Sequence, residues 1–173
     1  MHDGKKSLQG GSVTIAGYYP GVIGEIVGLH GAYYHEQWGF DKTFKVEVAG
    51  EIADFMEHFD GDRDGFWAAS SDGGFLGSLS LDGRGARDEG ARLRWFIVRP
   101  DAQGLGIGGK LMEEALTFAA SKGYGRVYLW TFEGLTSARR IYDRFGFEVI
   151  HQELVVEWGR ELLQQKMMLR ADE

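Results

Sequence analysis

A dense run of glycines, between a predicted strand and a predicted helix, constrains this chain more than any other feature. Four glycines fall within Gln103-Gly-Leu-Gly-Ile-Gly-Gly-Lys110, soon after an apolar stretch that ends at Val98. The first turn of a helix leaves backbone N–H groups without partners, and the helix dipole favours an anion there by about 0.3–2 kcal/mol. Glycines let phosphate oxygens approach the backbone because no Cβ intervenes. The loop is therefore predicted to bind a phosphate-bearing ligand, with the Lys110 charge nearby.

Other classes of glycine-rich loop fit the sequence less well. A Walker A loop needs Ser or Thr after Gly-Lys, whereas Leu111 follows Gly109-Lys110. A dinucleotide fingerprint follows the first strand of an alternating β-α-β chain, whereas this loop follows the fourth predicted strand. An enzyme that binds a nucleotide with magnesium would need a magnesium-binding motif, and we find none. A glycine-rich turn without a ligand is the remaining alternative. Without a bound ligand to compensate, however, so many glycines would only destabilise the start of the helix.

Hydrophobic periodicity predicts one α/β (α+β) domain over residues 12–173, with residues 1–11 as a flexible polar tail. The predicted order is β, α, α, β, β, β, α, β, α, β, β, which gives a mixed, mostly antiparallel sheet of about six to seven strands flanked by about four helices. Strands are predicted over Ser12–Ala16, Phe66–Ser70, Gly74–Leu81, Ala91–Val98, Arg126–Thr131, Phe147–Glu157 and Glu161–Arg170. Helices are predicted from Pro20 to Trp38, from Phe44 to Phe59, from Gly106 to Lys122, and from a capping Thr136 to Phe145.

Composition narrows the classes of partner. The chain has no cysteine, which excludes disulfides and cysteine-zinc sites, and its histidines lack the spacing of a zinc site, so no metal is expected. The net charge of −7 argues against nucleic acid as the main partner. No stretch reaches the roughly 20 apolar residues of a membrane span, and the polar start lacks the apolar core of a signal peptide. We therefore expect a cytoplasmic protein without a membrane partner.

The glycine loop resembles the Gln/Arg-x-x-Gly-x-Gly/Ala motif of the GNAT superfamily of N-acetyltransferases. The segment from Ala138 to Phe147 (Ala-Arg-Arg-Ile-Tyr-Asp-Arg-Phe-Gly-Phe) resembles the last conserved helix of that family, and the match is specific over residues 91–150. The front segments His30–Tyr34 and Trp38–Asp41 are similar to acetyltransferase domains fused to MarR-type regulators.

This resemblance implies a sheet that splays between strands 4 and 5, with acetyl-CoA as co-substrate. The pantetheine arm would lie along Phe96, Ile97 and Val98, and the pyrophosphate would bind backbone N–H groups of the loop. The implied cofactor-binding set is Phe96, Ile97, Val98, Gln103, Gly104, Leu105, Gly106, Ile107, Gly108, Gly109 and Lys110. Leu135 stands where many members carry an asparagine that contacts the cofactor, so the chain departs from the family at that contact.

The implied reaction moves an acetyl group directly from acetyl-CoA to a primary amine of a small molecule or protein, within a ternary complex. A non-catalytic acetyl-CoA sensor or interaction module is the alternative, and a longer acyl donor is a further one. A homodimer is expected from the exposed final strands and from family habit.

Several residues are candidates for the chemistry. By its position Tyr142 matches the family tyrosine that protonates the leaving thiolate, although it could instead be a core aromatic. Acceptor-side candidates are Tyr33, Tyr34, Glu36 and Trp95, each of which could simply pack. The general base stays open among Glu36, His35, His30, Asp41, Glu89 and Tyr34, with His30 better explained as a core histidine. Arg92 and Arg94 face either the acceptor or water, and Arg139, Arg140 and Arg144 form either a solvated helix face or a contact to the 3′-phosphate.

Overall fold

The computed structural model describes residues 11–172, so the predicted tail over 1–11 lies outside the described residues except for Gly11. Seven strands and four α-helices follow in the predicted order. The strands are β1 (Thr14–Ala16), β2 (Gly65–Ser71), β3 (Gly74–Asp82), β4 (Ala91–Val98), β5 (Arg126–Phe132), β6 (Glu148–Glu157) and β7 (Arg160–Arg170). The helices are α1 (Val22–Trp38), α2 (Lys42–Glu57), α3 (Ile107–Ser121) and α4 (Thr136–Arg144), and a 3₁₀ turn spans Pro100–Ala102.

The strands form one mixed sheet in the order β1-β2-β3-β4-β5-β7-β6. Every neighbouring pair is antiparallel except β4 and β5, which run parallel. These two strands pair only at Ala91 with Val127 and at Arg92 with Tyr128. Beyond that point they diverge, so the predicted fold class and the splay between strands 4 and 5 are confirmed.

A β-bulge at Trp95 accompanies the divergence. Ser78 pairs with Ile97 and Ser80 with Arg94, so β4 has one more residue than β3 across this interval. Trp95 adopts the left-handed conformation (φ 52°), which is uncommon for a residue other than glycine. The buried Ser78 hydroxyl donates to the Trp95 carbonyl at 2.9 Å and so fixes the bulge. Bulges bend and twist a strand, which here turns the second half of β4 away from β5.

Helices cover both faces of the sheet and divide the core in two. On one face, α3 buries Leu111, Met112 and Ala115, whose spacing places them on one side of the helix. On the other face, α1 and α2 enclose a second cluster that includes Ile26 and Ile52. The space between strands 4 and 5 connects the two faces, because the sheet is not closed there.

Two predicted helix starts are corrected. Helix α1 begins at Val22, and Pro20 lies in the preceding turn rather than in the first helical turn. Thr136 is the first helical residue of α4 rather than its cap, because Leu135 occupies the cap position without a side-chain hydrogen bond. The Thr136 hydroxyl instead donates to the Gly134 carbonyl at 3.3 Å. Helix α2, in contrast, is capped by Asp41, whose carboxylate accepts from the Thr43 amide at 2.9 Å.

Candidate active site

A cavity of about 470 Å³ extends from the end of β4 along the glycine loop to α4, and we call it the loop cavity. It contains nine of the eleven residues predicted to bind the cofactor: Phe96, Ile97, Val98, Gln103, Gly104, Gly106, Ile107, Gly108 and Gly109. The other two, Leu105 and Lys110, do not line it. The positive charge expected from Lys110 is therefore not at the cavity wall.

The start of α3 presents unpaired backbone donors to the loop cavity. Within residues 11–172, the first amide that bonds back along this helix is that of Lys110, which donates to the Gly106 carbonyl at 3.1 Å. The amides of Ile107, Gly108 and Gly109 therefore have no backbone acceptor. Gly106 caps the helix with a positive φ of 82° and contributes no capping side chain, which leaves these amides free for a ligand.

Arginines of α4 supply the positive charge that Lys110 does not. Arg140 and Arg144 both line the loop cavity, and the Arg144 guanidinium lies where a Cβ on Gly109 would fall. Arg139 is not at this cavity and instead pairs with Asp143 at 2.8 Å. Of the three arginines of α4, Arg140 and Arg144 therefore line the loop cavity. Arg139 faces the sheet instead, where it also donates to Gln165 at 3.2 Å.

The open edge of β4 forms the inner wall of the loop cavity. Since β4 and β5 pair only at their first residues, the backbone of Phe96, Ile97 and Val98 is not hydrogen-bonded to β5. The Gln103 side chain donates to the Val98 carbonyl at 3.1 Å and holds the glycine loop against the strand end. An extended ligand could thus pair with this edge as an added strand would.

A second cavity of about 310 Å³ lies on the α1–α2 face, and we call it the aromatic cavity. Its aromatic residues are Tyr34, Phe44, Trp95, Phe96, Trp130, Phe132, Tyr142 and Trp158. Its charged residues are Glu47, Glu51, Arg92, Arg94 and Glu157. The mixture of rings and charges suits a small organic ligand with polar groups.

Three residues line both cavities: Tyr34, Phe96 and Leu135. The two spaces therefore meet at the splay, with Leu135 as an apolar wall where an asparagine would offer a hydrogen bond. Tyr142 faces this junction from α4, and its ring packs against Phe96 with centroids 5.9 Å apart. Burial raises the pKa of the Tyr142 hydroxyl above its ordinary value, so the hydroxyl keeps its proton at neutral pH.

The hydroxyls of Tyr142 and Tyr34 have no hydrogen-bond partner among residues 11–172. Burial, with smaller contributions from Tyr142 and Tyr33, raises the pKa of Tyr34 as well. Tyr34 also packs, since its ring is stacked on Phe40 with centroids 5.5 Å apart. The two alternatives considered for Tyr34, lining a cavity and packing, thus apply together.

Among the candidates for the general base, only His30 and Tyr34 line the aromatic cavity. His30 is buried, its Nδ1 donates to the Ile26 carbonyl at 2.8 Å, and burial lowers its pKa to about 4, as suits a core histidine. The remaining candidates line neither cavity: Glu36 and His35 are exposed, Asp41 caps α2, and Glu89 pairs with Lys166 at 3.3 Å. Of the other acceptor-side candidates, Trp95 lines the aromatic cavity and Tyr33 the loop cavity.

Three carboxylates of the aromatic cavity were not predicted: Glu47, Glu51 and Glu157. Glu47 accepts a hydrogen bond from the Trp158 indole at 2.5 Å, and Glu51 accepts one from Arg94 at 2.7 Å. The Glu157 carboxylate makes no hydrogen bond or salt bridge within the described part of the chain. Burial, together with the charges of Glu47 and Glu153, raises the pKa of Glu157. These residues come from α2 and from the end of β6, and no local motif in the sequence marks them.

The residues from 11 to 172 contain no group of three or more acidic or histidine side chains that could hold a metal ion. In the same part of the chain, no helix is long and apolar enough to cross a membrane.

The chain is similar to known acetyltransferases in sequence. The profile of the Acetyltransferase (GNAT) family matches residues 24–147. The chain is 30% identical over 132 residues to an uncharacterised N-acetyltransferase of Methanocaldococcus jannaschii, covering 74% of this chain and 58% of that protein. It is also 30% identical over 117 residues to an uncharacterised N-acetyltransferase of Schizosaccharomyces pombe, covering 66% of this chain and 70% of that protein. The chain thus spans little more than half the length of the first of these relatives.

The fold is similar to that of solved acetyltransferase structures. One is the Salmonella typhimurium protein yncA, solved with its cofactor acetyl-CoA. The two structures superpose with a TM-score of 0.72 over 94% of this chain and 95% of the other, at 19% sequence identity. At this identity the likeness concerns the fold.

Proposed function

This chain belongs to the GNAT family of acetyltransferases, and we propose that it moves an acetyl group from acetyl-CoA to a primary amine of a small molecule or protein. The observation that carries the proposal is the meeting of the loop cavity and the aromatic cavity at the splay, beside Phe96 and Tyr142. A donor that enters from one face and an acceptor that enters from the other would react at this junction. Both substrates would then be bound together, and transfer would be direct.

The loop cavity fits the donor. The unpaired amides of Ile107–Gly109, with Arg140 and Arg144 beside them, suit the pyrophosphate and the 3′-phosphate. The free backbone edge of Phe96–Val98 suits the amide groups of the pantetheine arm. This arrangement would direct the thioester toward Tyr142. The likeness to a fold solved with acetyl-CoA supports the same placement.

Tyr142 is proposed as the general acid. The neutral amine attacks the thioester carbonyl, the carbon–sulfur bond breaks, and the departing thiolate takes the hydroxyl proton of Tyr142. The Tyr142 hydroxyl is protonated at neutral pH, and the absence of a hydrogen-bond partner within residues 11–172 leaves it free to donate. Such proton transfer is typically worth roughly 10²–10⁴ in rate.

The amine must lose a proton, because an alkyl amine with a pKa near ~10.4 is almost wholly charged at pH 7. His30 is a weak base with its pKa near 4, and Tyr34 stays protonated. We propose Glu157 as the proton acceptor, because it lines the aromatic cavity, is unpaired among the described residues, and has a raised pKa. Trp95 and Tyr34 would contact the acceptor, while roles for Tyr33 and Glu36 remain predictions.

Thiol release with a panel of amines tests the proposal. The chain has no cysteine, so a thiol reagent reports only the coenzyme A that is set free. We expect acetyl-CoA to bind in calorimetry and at least one amine to release thiol. Binding without amine-dependent release would instead support the sensor alternative, and loss of binding would contradict both. Propionyl-CoA and longer thioesters in the same assay test the acyl length.

Assembly and location are further parts of the proposal. Edge strand β6 exposes Leu154 and Val156, at 69% and 77% of their surface, which supports a homodimer through this strand. We infer a cytoplasmic enzyme without a membrane or nucleic-acid partner, in keeping with the net charge of −7. The likeness of His30–Tyr34 and Trp38–Asp41 to acetyltransferase domains fused to MarR-type regulators is retained as a prediction. Light scattering of Leu154→Glu against the unchanged chain tests the dimer.

A further inference from the structure

Arg92, in the wall of the aromatic cavity, is a cation without a partner among residues 11–172. It lies on β4 at the last residue that pairs with β5, where Tyr128 is its neighbour. Its Nε is buried and has no hydrogen-bond partner, and the side chain makes no salt bridge within residues 11–172. Burial lowers the pKa of Arg92, and the adjacent Arg94 charge lowers it further. A buried polar group normally has a partner, so this one requires an explanation.

The nearest carboxylates are engaged by other arginines. Glu51 accepts from Arg94 at 2.7 Å. Asp82 accepts from Arg84 at 2.7 Å and from Arg94 at 3.3 Å. Both carboxylates also attract Arg92 over a longer distance, but neither bonds to it. The protein thus satisfies Arg94 internally and leaves Arg92, on the same face of the same strand, with free donors at the cavity.

We propose that Arg92 binds a carboxylate of the acceptor, so that the acceptor is an amine that also carries a carboxylate group. This inference rests on the proposed function, since it takes the aromatic cavity as the acceptor site. The two Nη groups of a guanidinium lie in one plane and can bind the two oxygens of a carboxylate end-on. Glu47 and Glu157, in the same cavity, supply the opposite charge for the ammonium of such a molecule. The surrounding rings suit an apolar part of the same molecule.

Binding can be measured without turnover, because Trp95, Trp130 and Trp158 line the cavity and report occupancy by fluorescence. The probes are 3-phenylpropanoate, its neutral analogue 3-phenylpropan-1-ol, and 2-phenylethylphosphonate. We expect the unchanged protein to bind the carboxylate about ten- to a hundredfold more tightly than the alcohol, which is the range for a charge-assisted bidentate contact. Arg92→Gln should abolish this preference, and Arg92→Lys should retain part of it. Arg87→Gln, an exposed change, should bind as the unchanged protein does.

The outcomes separate this inference from the proposed function. Equal binding of the carboxylate and the alcohol by the unchanged protein overturns the inference, as does equal binding of the carboxylate by Arg92→Gln. Tighter binding of the phosphonate than of the carboxylate assigns a phosphate instead and overturns the stated class. In the thiol-release assay, we expect a lower KM for phenylalanine than for 2-phenylethylamine. In Arg92→Gln, the KM for phenylalanine should rise, and the KM for 2-phenylethylamine should stay the same. If no amine releases thiol, the proposed function fails, while the fluorescence comparison still decides whether Arg92 is an anion site.

Discussion

The Tyr142 ring of α4 packs against the Phe96 ring of β4, with centroids 5.9 Å apart, and this contact lies where the two cavities meet. It joins the helix that would supply the proton donor to the strand that would hold the donor substrate. Because both rings are also part of the packed interior, the position of the hydroxyl is set by the fold itself rather than by a mobile loop.

Tyr142→Phe is predicted to lower kcat by roughly a hundredfold or more, because it removes the acid that protonates the leaving thiolate. Acetyl-CoA affinity and melting temperature should stay unchanged, since the ring that contacts Phe96 is retained. Thiol release measures the first effect and calorimetry the second. Tyr124→Phe is the matched control, because its hydroxyl donates to the Arg63 carbonyl at 2.8 Å and lines neither cavity. Turnover equal to that of the unchanged enzyme would remove Tyr142 from the mechanism.

Gly106→Asp is predicted to abolish acetyl-CoA binding, because it places a carboxylate beside the amides that would bind the pyrophosphate. Gly106→Asn is its uncharged control. Aspartate and asparagine both tolerate the left-handed conformation of position 106 better than most residues do. An added Cβ at Gly106 also meets no atom within 4 Å. We therefore expect both variants to fold and only the aspartate to lose most of its affinity in calorimetry. Retained affinity in Gly106→Asp would contradict the assignment of the loop.

The loop cavity could be predicted in outline from the sequence because its residues are local. The loop and the start of α3 are contiguous, so the spacing of Gly104 and Gly106 already indicates an anion site at a helix start. Position 108 requires glycine for a different reason, because a Cβ there would lie 2.7 Å from the Ile141 side chain of α4. That reason is a tertiary contact between helices, which spacing along the chain does not reveal.

The aromatic cavity could not be predicted in the same way. Its charged residues come from α2, β4 and β6, and they meet only because the sheet order brings these elements around the splay. Alternation along β4 indicated that Arg92 and Arg94 share a face, but not that Arg94 is paired and Arg92 free. The bulge at Trp95 also has no signal in the sequence, because the hydrogen bond that the Trp95 carbonyl accepts comes from Ser78 on the neighbouring strand.

The free energy of unfolding is predicted to fall as the pH decreases from about 6.5 to about 4, because His30 is buried in its neutral form. Its pKa is about 4 in the folded protein and 6.5 in its ordinary state. Between these values the unfolded chain binds the extra proton, so His30 contributes stability that is present above pH 6.5 and lost as the pH falls. The loss is on the order of 3 kcal/mol.

Urea unfolding at pH 7 and pH 5 tests this dependence on His30. In His30→Leu the decrease between the two pH values should be smaller than in the unchanged protein. His58→Gln is the control for the loss of a histidine, because the His58 side chain is exposed whereas that of His30 is buried. An equal decrease in His30→Leu would show that other groups cause the acid sensitivity.

Two serines of β3 offer a last, closely matched prediction about the bulge. Ser78 and Ser80 are both fully buried, two residues apart on one strand. The Ser78 hydroxyl donates to the Trp95 carbonyl at 2.9 Å, whereas the Ser80 hydroxyl has no hydrogen-bond partner in the described part of the chain. Ser78→Ala should therefore lower the free energy of unfolding by about 1–3 kcal/mol, because a buried acceptor loses its donor. Ser80→Ala should leave it equal or higher, since it removes an unsatisfied buried hydroxyl.

Ser78→Ala and Ser80→Ala should also differ in their effect on activity, because the Ser78 hydrogen bond holds the left-handed conformation of Trp95 that turns β4 away from β5. When this bond is removed, the strands lose a support for the gap in which the pantetheine arm would lie. We expect KM for acetyl-CoA to rise in Ser78→Ala and to remain unchanged in Ser80→Ala, measured at a temperature where both variants are fully folded. If the two variants share the same KM and the same stability, the Ser78 hydrogen bond does not maintain the splay. The divergence of the strands would then be attributed to the packing of Trp95 against Phe55 of α2, whose rings lie 5.3 Å apart.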